Sequence, residues 1–276
     1  ASDVYQRQPD ARLLAGGTDL LVDLKTGRVA ARHLVSLNRI EELRGISETP
    51  VGLRIGALTT VAALGRSVPV RERYRPILDA ALQMAAAQVR NLATVGGNIS
   101  SAVPCADLPP ILTVMHGKVT LWSPEGEREV PLESFFTGPR STVRGDDEIL
   151  TAVHVPEMPP RFGAAYARFA QRDGNAIAVA SVAASMLLAE NGTVKEARVV
   201  LGAVAPVPKF VPEAGETLIG RLPEEDSFQA AAVIARDAAE PITDLRGSVG
   251  FRRDLVEVLT RRALQSALER AKEVRA

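Results

Sequence analysis

Apolar residues recur along this chain with two different periods, and their order predicts strands and helices in alternation. Residues 11–15 (ARLLA) form a short apolar run that Gly16-Gly17 breaks sharply, which predicts a buried strand ending in a turn. Residues 19–25 (DLLVDLK) resume with apolar positions at helical spacing. Residues 33–37 (HLVSL) and 53–57 (LRIGA) read as further strands. Between 76 and 93 an Ala-rich stretch, ILDAALQMAAAQVRNLA, carries small residues at helical spacing. It predicts one closely packed helix, stopped by a second glycine pair, Gly96-Gly97.

From Lys118 the texture changes. KVTLWS and REVPL alternate in the manner of antiparallel strands, with PEGE as the turn, and residues 148–155 (EILTAVHV) add another strand. The stretch 155–163 (VPEMPPRFG) is the one proline cluster dense enough to mark a boundary, so the chain is expected to divide into residues 1–160 and 161–276. Beyond it, AVASVAASMLLAENG and VKEARVVLGAVAP read as two strands joined by an Asn191-Gly192 hairpin. Two helices follow. One covers 227–240 and is stopped by Pro241; the other runs from about Arg252 to the end, with Leu255, Val258, Leu259, Ala263, Leu264, Ala267, Leu268 and Ala271 as its apolar stripe. The pattern is that of an α+β protein in two parts.

Composition narrows the class. With 46% hydrophobic residues the chain has ample material for a core, and with 4% aromatics that core is built from Ala, Val, Leu and Ile. Lys plus Arg and Asp plus Glu are each 33, so the formal net charge is zero and the footprint of a nucleic-acid binder is absent. The single thiol, Cys105, makes neither an internal disulfide nor a cysteine-rich metal site, and His33, His116 and His154 are too scattered to be ligands. No apolar run is long enough to span a membrane, no signal-peptide pattern opens the chain, and the expected compartment is the cytoplasm. The chain opens on Ala1 rather than Met, so a little sequence is expected to be missing.

The chemistry lies in the two glycine turns. Leu14-Ala15-Gly16-Gly17-Thr18-Asp19-Leu20 joins a predicted strand to a predicted helix, and a glycine pair there admits positive φ with no Cβ in the way. Successive N–H groups then point into one concavity that accepts an anion without a lysine. Thr94-Val95-Gly96-Gly97-Asn98-Ile99-Ser100 repeats the logic. Neither turn is a phosphate loop of the G-K-[ST] kind and neither fits G-x-G-x-x-G. Two such cups on one domain point to a ligand with two phosphates.

A-G-G-T-D-L at 15–20 followed by Lys25, I-G-A-L-T-T at 55–60, and V-R-N-L-A-T-V-G-G-N-I at 89–99 occur in that order, completed by Pro104 and Asp107. Further on come A-R-V-V-L-G-A-V-A-P at 197–206 and P-I-T-D-L-R-G-S at 241–248, followed by F-R-R. This ordered set covers nearly the whole chain. It resembles the FAD-binding medium subunit of the xanthine dehydrogenase and carbon monoxide dehydrogenase family of molybdenum hydroxylases. The resemblance implies the fold of the p-cresol methylhydroxylase flavoproteins, two α+β subdomains around FAD, followed by a smaller α/β C-terminal domain with an antiparallel sheet and helices. It implies that Leu14, Ala15, Gly16, Gly17, Thr18, Asp19 and Leu20 form a first diphosphate loop, and Thr94, Gly96, Gly97 and Asn98 a second. Thr59 joins the cofactor-contacting set, Asp107 matches an acid that contacts the ribityl and flavin region, and Leu150 an apolar residue near the isoalloxazine. Arg168 stands where the family has a cofactor-contacting lysine, and Tyr166 resembles a tyrosine that shields one flavin face.

Two departures stand out. Gln171-Arg172 is followed by Asn175-Ala176-Ile177-Ala178, without the acid of the family's Asp-Ile-Ala, and residues 100–108 lack the cysteine-rich insertion of the 4-hydroxybenzoyl-CoA reductase branch. The helix that precedes the first loop in the family is expected to be cut short. The resemblance further implies a large partner with molybdopterin and a small partner with two [2Fe–2S] clusters, in a dimer of heterotrimers. FAD on this chain would pass electrons to NAD, oxygen or a quinone, with no catalytic acid or base of its own. Two alternatives remain open at this stage: a stand-alone flavin oxidase, and an assembly subunit that has lost its flavin.

Overall fold

The computed structural model describes residues 10–273, and the shortened helix expected before the first glycine turn lies outside them. Strand β1 (Ala11–Leu14) and helix α1 (Leu20–Lys25) lead to β2 (His33–Ser36), which pairs with β1 in parallel. Beneath this ribbon Leu37, Leu43, Leu58 and Ile149 form a small core, against which Leu13 and Ala15 pack. Strands β3 (Ile46–Thr49) and β4 (Gly52–Gly56) then begin a larger sheet.

A helical excursion follows: α2 (Val61–Leu64), α3 (Val68–Glu72), α4 (Arg75–Gln83), α5 (Ala87–Arg90), α6 (Val95–Ser100) and α7 (Leu108–Val114). The single helix expected over 76–93 is therefore two. Arg90 Nη1 donates to Met84 O at 2.6 Å, and Ala85 O, at a residue with φ of 44°, accepts from Asn175 N at 3.0 Å. The carbonyls that would continue the helix are taken by a side chain and by a distant loop. Helical spacing reports local preference, and here tertiary bonds override it.

The chain returns as β5 (Lys118–Ser123) and β6 (Gly126–Pro131), passes a small ribbon of β7 (Phe136–Gly138) and β8 (Ser141–Thr142), and enters β9 (Ile149–Pro156). The finished sheet is antiparallel, in the order β3-β4-β9-β5-β6. The proline cluster links β9 to β10 (Phe162–Phe169), the edge of a second antiparallel sheet. That sheet continues with β11 (Ala180–Leu188), β12 (Val194–Gly202) and β13 (Lys209–Phe210). Helices α8 (Pro212–Glu216), α9 (Glu225–Ala238) and α10 (Val249–Lys272) complete the fold. The predicted Asn191-Gly192 turn joins β11 to β12: Gly192 has φ of 81°, and Asn191 Oδ1 accepts from Thr193 N at 3.1 Å.

The second sheet is buried on both faces, which explains why AVASVAASMLL runs apolar without alternation. Ala164, Tyr166, Ala183 and Val200 join the core shared with α4, α7 and the first sheet. Their neighbours Ala165, Val182, Ala184, Val199 and Leu201 join a core with α9 and α10. At Gly163 a Cβ would stand 2.0 Å from Ala267 O, so only glycine lets α10 seat on the sheet this closely. The buried line of α10 differs slightly from the predicted stripe. It runs through Val256 rather than Val258 and includes Arg252 and Thr260. Arg252 donates through its two Nη atoms to Val179 O, Ala203 O and Asp244, while its Nε has no partner among the described residues, and Thr260 Oγ1 donates to Val256 O. Among the described residues no helix is long and apolar enough to cross a membrane.

Candidate functional site

The two glycine turns meet. At Gly16 a Cβ would lie 2.0 Å from Leu92 O, so the first turn rests directly on the backbone leading into α6. Both turns line one cavity of about 500 Å³. Ala15, Gly16, Gly17, Thr18, Asp19 and Leu20 line it from the β1–α1 side, and Thr94, Gly96, Gly97 and Asn98 from the α6 side, with Asp107 and Leu150 further along. A second cavity, of about 880 Å³, opens beside the proline link between Arg73, Met158, Phe162 and Lys272. It is the roomier one but holds neither glycine turn.

The first turn is built as expected. Gly17 has φ of 73°, and the amides of Gly16, Gly17, Thr18 and Asp19 have no hydrogen-bond partner among the described residues. Backbone N–H groups grouped in this way can donate to an anion. The second turn is a different object, and the expected amide cup does not form there. Val95 N donates to Thr59 O, Gly96 N to Ala57 O, Gly97 N to Thr94 Oγ1 at 3.0 Å, and Asn98 N to Thr94 O. Thr94 is the N-cap of α6, and its glycines are helical rather than left-handed. Gly96 is required by packing, since a Cβ there would stand 2.6 Å from Ala57 Cβ. At Gly97 a Cβ would meet only Thr94 Oγ1, which leaves that position open on the cavity. The side-chain oxygen Asn98 Oδ1 is buried with no partner. An orphaned acceptor in a cavity wall marks a place where a bound molecule completes the hydrogen bonding.

Four expected contacts do not line the cavity: Leu14, Thr59, Tyr166 and Arg168. Leu14 tucks its side chain under Gly17 and Thr59 Oγ1 donates to Gly45 O at 2.8 Å. Tyr166 and Arg168 stand one layer behind Asp107. Tyr166 Oη donates to Asp107 Oδ1 at 2.7 Å and Arg168 Nη1 to the same oxygen at 3.0 Å. Arg168 Nη2 also donates to Ala176 O at 2.7 Å. Tyr166 is thus a buried donor rather than an exposed ring. Burial raises the carboxyl of Asp107 above its ordinary range, opposed by Arg168 and Tyr166. Burial and the adjoining Asp107 carry the Tyr166 phenol well up, so it stays protonated as a donor.

Other cavity residues carried no signal in the sequence. Arg12, Arg140 and Arg144 line it, set against Asp19, Asp23 and Asp107 in the same walls. Arg140 pairs with the buried Asp23, which also accepts from Arg28 Nη1 at 2.7 Å. Arg144 Nη1 donates to Gly145 O and Glu148 O, each at 2.8 Å. Ile177, 55% exposed, faces the cavity from the segment where the family's acid is missing. Cys105 lines it too, and burial together with Asp107 pushes its thiol up. The arrangement offers free backbone donors and cations at one end, and apolar walls with a buried carboxylate at the other. That suits an elongated molecule with an anionic middle and a flat apolar end.

Comparison with known proteins agrees. Residues 1–158 match the family model described as FAD binding domain in molybdopterin dehydrogenase, and residues 165–267 match the CO dehydrogenase flavoprotein C-terminal domain. The chain is 35% identical over 274 residues to a xanthine dehydrogenase FAD-binding subunit of Escherichia coli O157:H7, covering 98% of this chain and 93% of that one. It is 34% identical to the carbon monoxide dehydrogenase medium chain of Hydrogenophaga pseudoflava, over 95% of this chain and 90% of the relative. Among solved structures, carbon monoxide dehydrogenase from Hydrogenophaga pseudoflava superposes with a TM-score of 0.94 at 34% identity, covering 98% of this chain and 93% of that one.

Proposed function

This chain belongs to the family of FAD-binding medium subunits of molybdenum hydroxylases, and from that premise we propose how its cavity holds the cofactor and what it serves. In this reading Gly16, Gly17, Thr18 and Asp19 offer their free amides to the diphosphate, and Arg140 and Arg144 add positive potential. Gly97 gives close approach from the other side, and Asn98 Oδ1 accepts from a hydroxyl or N–H of the ligand. Asp107 accepts similarly near the flavin end, where Leu150 and Ile177 supply apolar walls. Residues 1–160 carry most of these contacts and 161–276 close over them.

Bound FAD would supply the redox chemistry, with [2Fe–2S] clusters on a small partner as the electron source and NAD, oxygen or a quinone as the acceptor. A large partner holds the molybdenum cofactor, and the whole assembles as a dimer of heterotrimers. The chain's own part is to bind, orient and shield, which agrees with a site whose polar groups are donors and positioned acceptors rather than acid–base pairs. The observation that carries the proposal is the meeting of the free amides at 16–19 with the open face of Gly97 in one cavity. An affinity tag on this chain in its native host tests the assembly. Co-purification of two further subunits carrying iron and molybdenum supports it; a lone, fully active flavin oxidase overturns it.

A further inference from the structure

Tyr166 and Arg168 lie two apart on β10, opposite Ala183 and Ser181 of β11, so both side chains leave the same face of the sheet. That face meets the start of α7, where Asp107 stands 5% exposed in the cavity wall. Both donors are spent on one oxygen, Oδ1. Asp107 Oδ2 has no partner among the described residues and is the oxygen left for a ligand. A carboxylate oxygen so placed takes an O–H or N–H donor.

We propose that Tyr166 is a positioning residue: with Arg168 it fixes Asp107 in one rotamer, so that Oδ2 accepts from a hydroxyl or imide N–H of bound FAD. This rests on the FAD reading above and replaces the ring-shielding role expected of Tyr166. The phenol is suited to the task because its own proton stays on at every working pH, so it always donates. Arg168 adds the opposite charge and ties Ala176 O, which seats Ile177 at the cavity. The other ionisable group beside Asp107 is Cys105, itself faced by Arg246 and Asp19. Removing the Tyr166 hydroxyl takes away one stabilising donor and leaves burial to neutralise the acid.

The test is a fluorescence titration of the flavin-stripped full chain with FAD between pH 5 and pH 9, for the native protein and Tyr166→Phe, Asp107→Asn and the double variant. Phenylalanine keeps the ring in the core. Tyr166→Phe is expected to weaken FAD roughly tenfold at neutral pH, the worth of a hydrogen bond to a charged group. Its affinity falls on the acid side begin at a higher pH than in the native chain. Asp107→Asn abolishes that pH dependence, and adding Tyr166→Phe to it costs little more. Unchanged affinity and pH profile in Tyr166→Phe overturns the proposal, as does a loss that adds fully to that of Asp107→Asn. Should Tyr166→Phe not fold, the Asp107→Asn profile still decides, because a pH dependence that survives it excludes the ionised Asp107 as acceptor. A native chain that binds no FAD at any pH instead overturns the FAD reading itself.

Discussion

Gly97→Leu separates cofactor binding from folding. A Cβ at 97 would stand 2.8 Å from Thr94 Oγ1 and meet nothing else within 4 Å. Displacing that cap costs about 1 kcal/mol, and replacing glycine by leucine inside a helix returns about 0.8 kcal/mol. The net is near zero, so the melting temperature should move by no more than about 4 °C. The same change at Gly96 drives a Cβ to 2.6 Å from Ala57 Cβ and 2.8 Å from Ala57 O. Overpacking against backbone costs about 1–3 kcal/mol or more, so Gly96→Leu should melt several degrees lower. For the cofactor the order reverses in cause: at 97 the new side chain occupies the cavity, and overlap of the same size weakens FAD by about ten- to a hundredfold. The assay pairs a thermal melt with the ratio of flavin to protein absorbance after purification. Gly97→Leu that keeps full flavin content refutes the placement of the cofactor against α6.

Further predictions follow from single contacts. Gly16→Ala forces a Cβ onto Leu92 O at 2.0 Å and should lower both the melting temperature and FAD content, read on the same two instruments. Arg168→Ala leaves Asp107 buried without its cation and should destabilise the fold by about 3 kcal/mol in urea unfolding, whereas Arg168→Ala with Asp107→Asn recovers part of the loss. Glu148 is held below the ordinary carboxylate range chiefly by hydrogen bonds from Arg128, at 2.5 and 2.8 Å. A depressed folded-state value gives stability that is complete above the unfolded carboxyl value, about 4.3, and is lost as pH falls through the folded one. Stability measured from pH 6 down to pH 3 should therefore fall less steeply in Glu148→Gln than in the native chain.

The sheet strands were legible because their alternation survives in the sequence: KVTLWS and REVPL became β5 and β6, and the Asn191-Gly192 turn closed β11 on β12. The first glycine turn was legible for the same reason, since positive φ at Gly17 is a local demand. What the sequence hid depends on distant partners. Helices α4 and α5 part because Arg90 and Asn175 take carbonyls near Met84 and Ala85. The pair Gly96-Gly97 looks like Gly16-Gly17 in composition, yet Thr94 and Ala57 claim its amides and turn a supposed cup into a capped helix. Arg140 and Arg144 could not be chosen from among the chain's many arginines without knowing that β7, β8 and the loop before β9 return to the first turn. Tyr166 was expected from the resemblance to shield a flavin face; in the fold it and Arg168 both point to Asp107.

A competition between FAD and FMN on the flavin-stripped chain tests the central claim most directly, because FMN keeps the flavin but lacks the diphosphate bridge and adenosine. Free amides at residues 16–19 and the open face of Gly97 predict about one FAD per chain, with FMN bound at least tenfold more weakly. Equal binding of the two flavins, or none of either, would contradict the account.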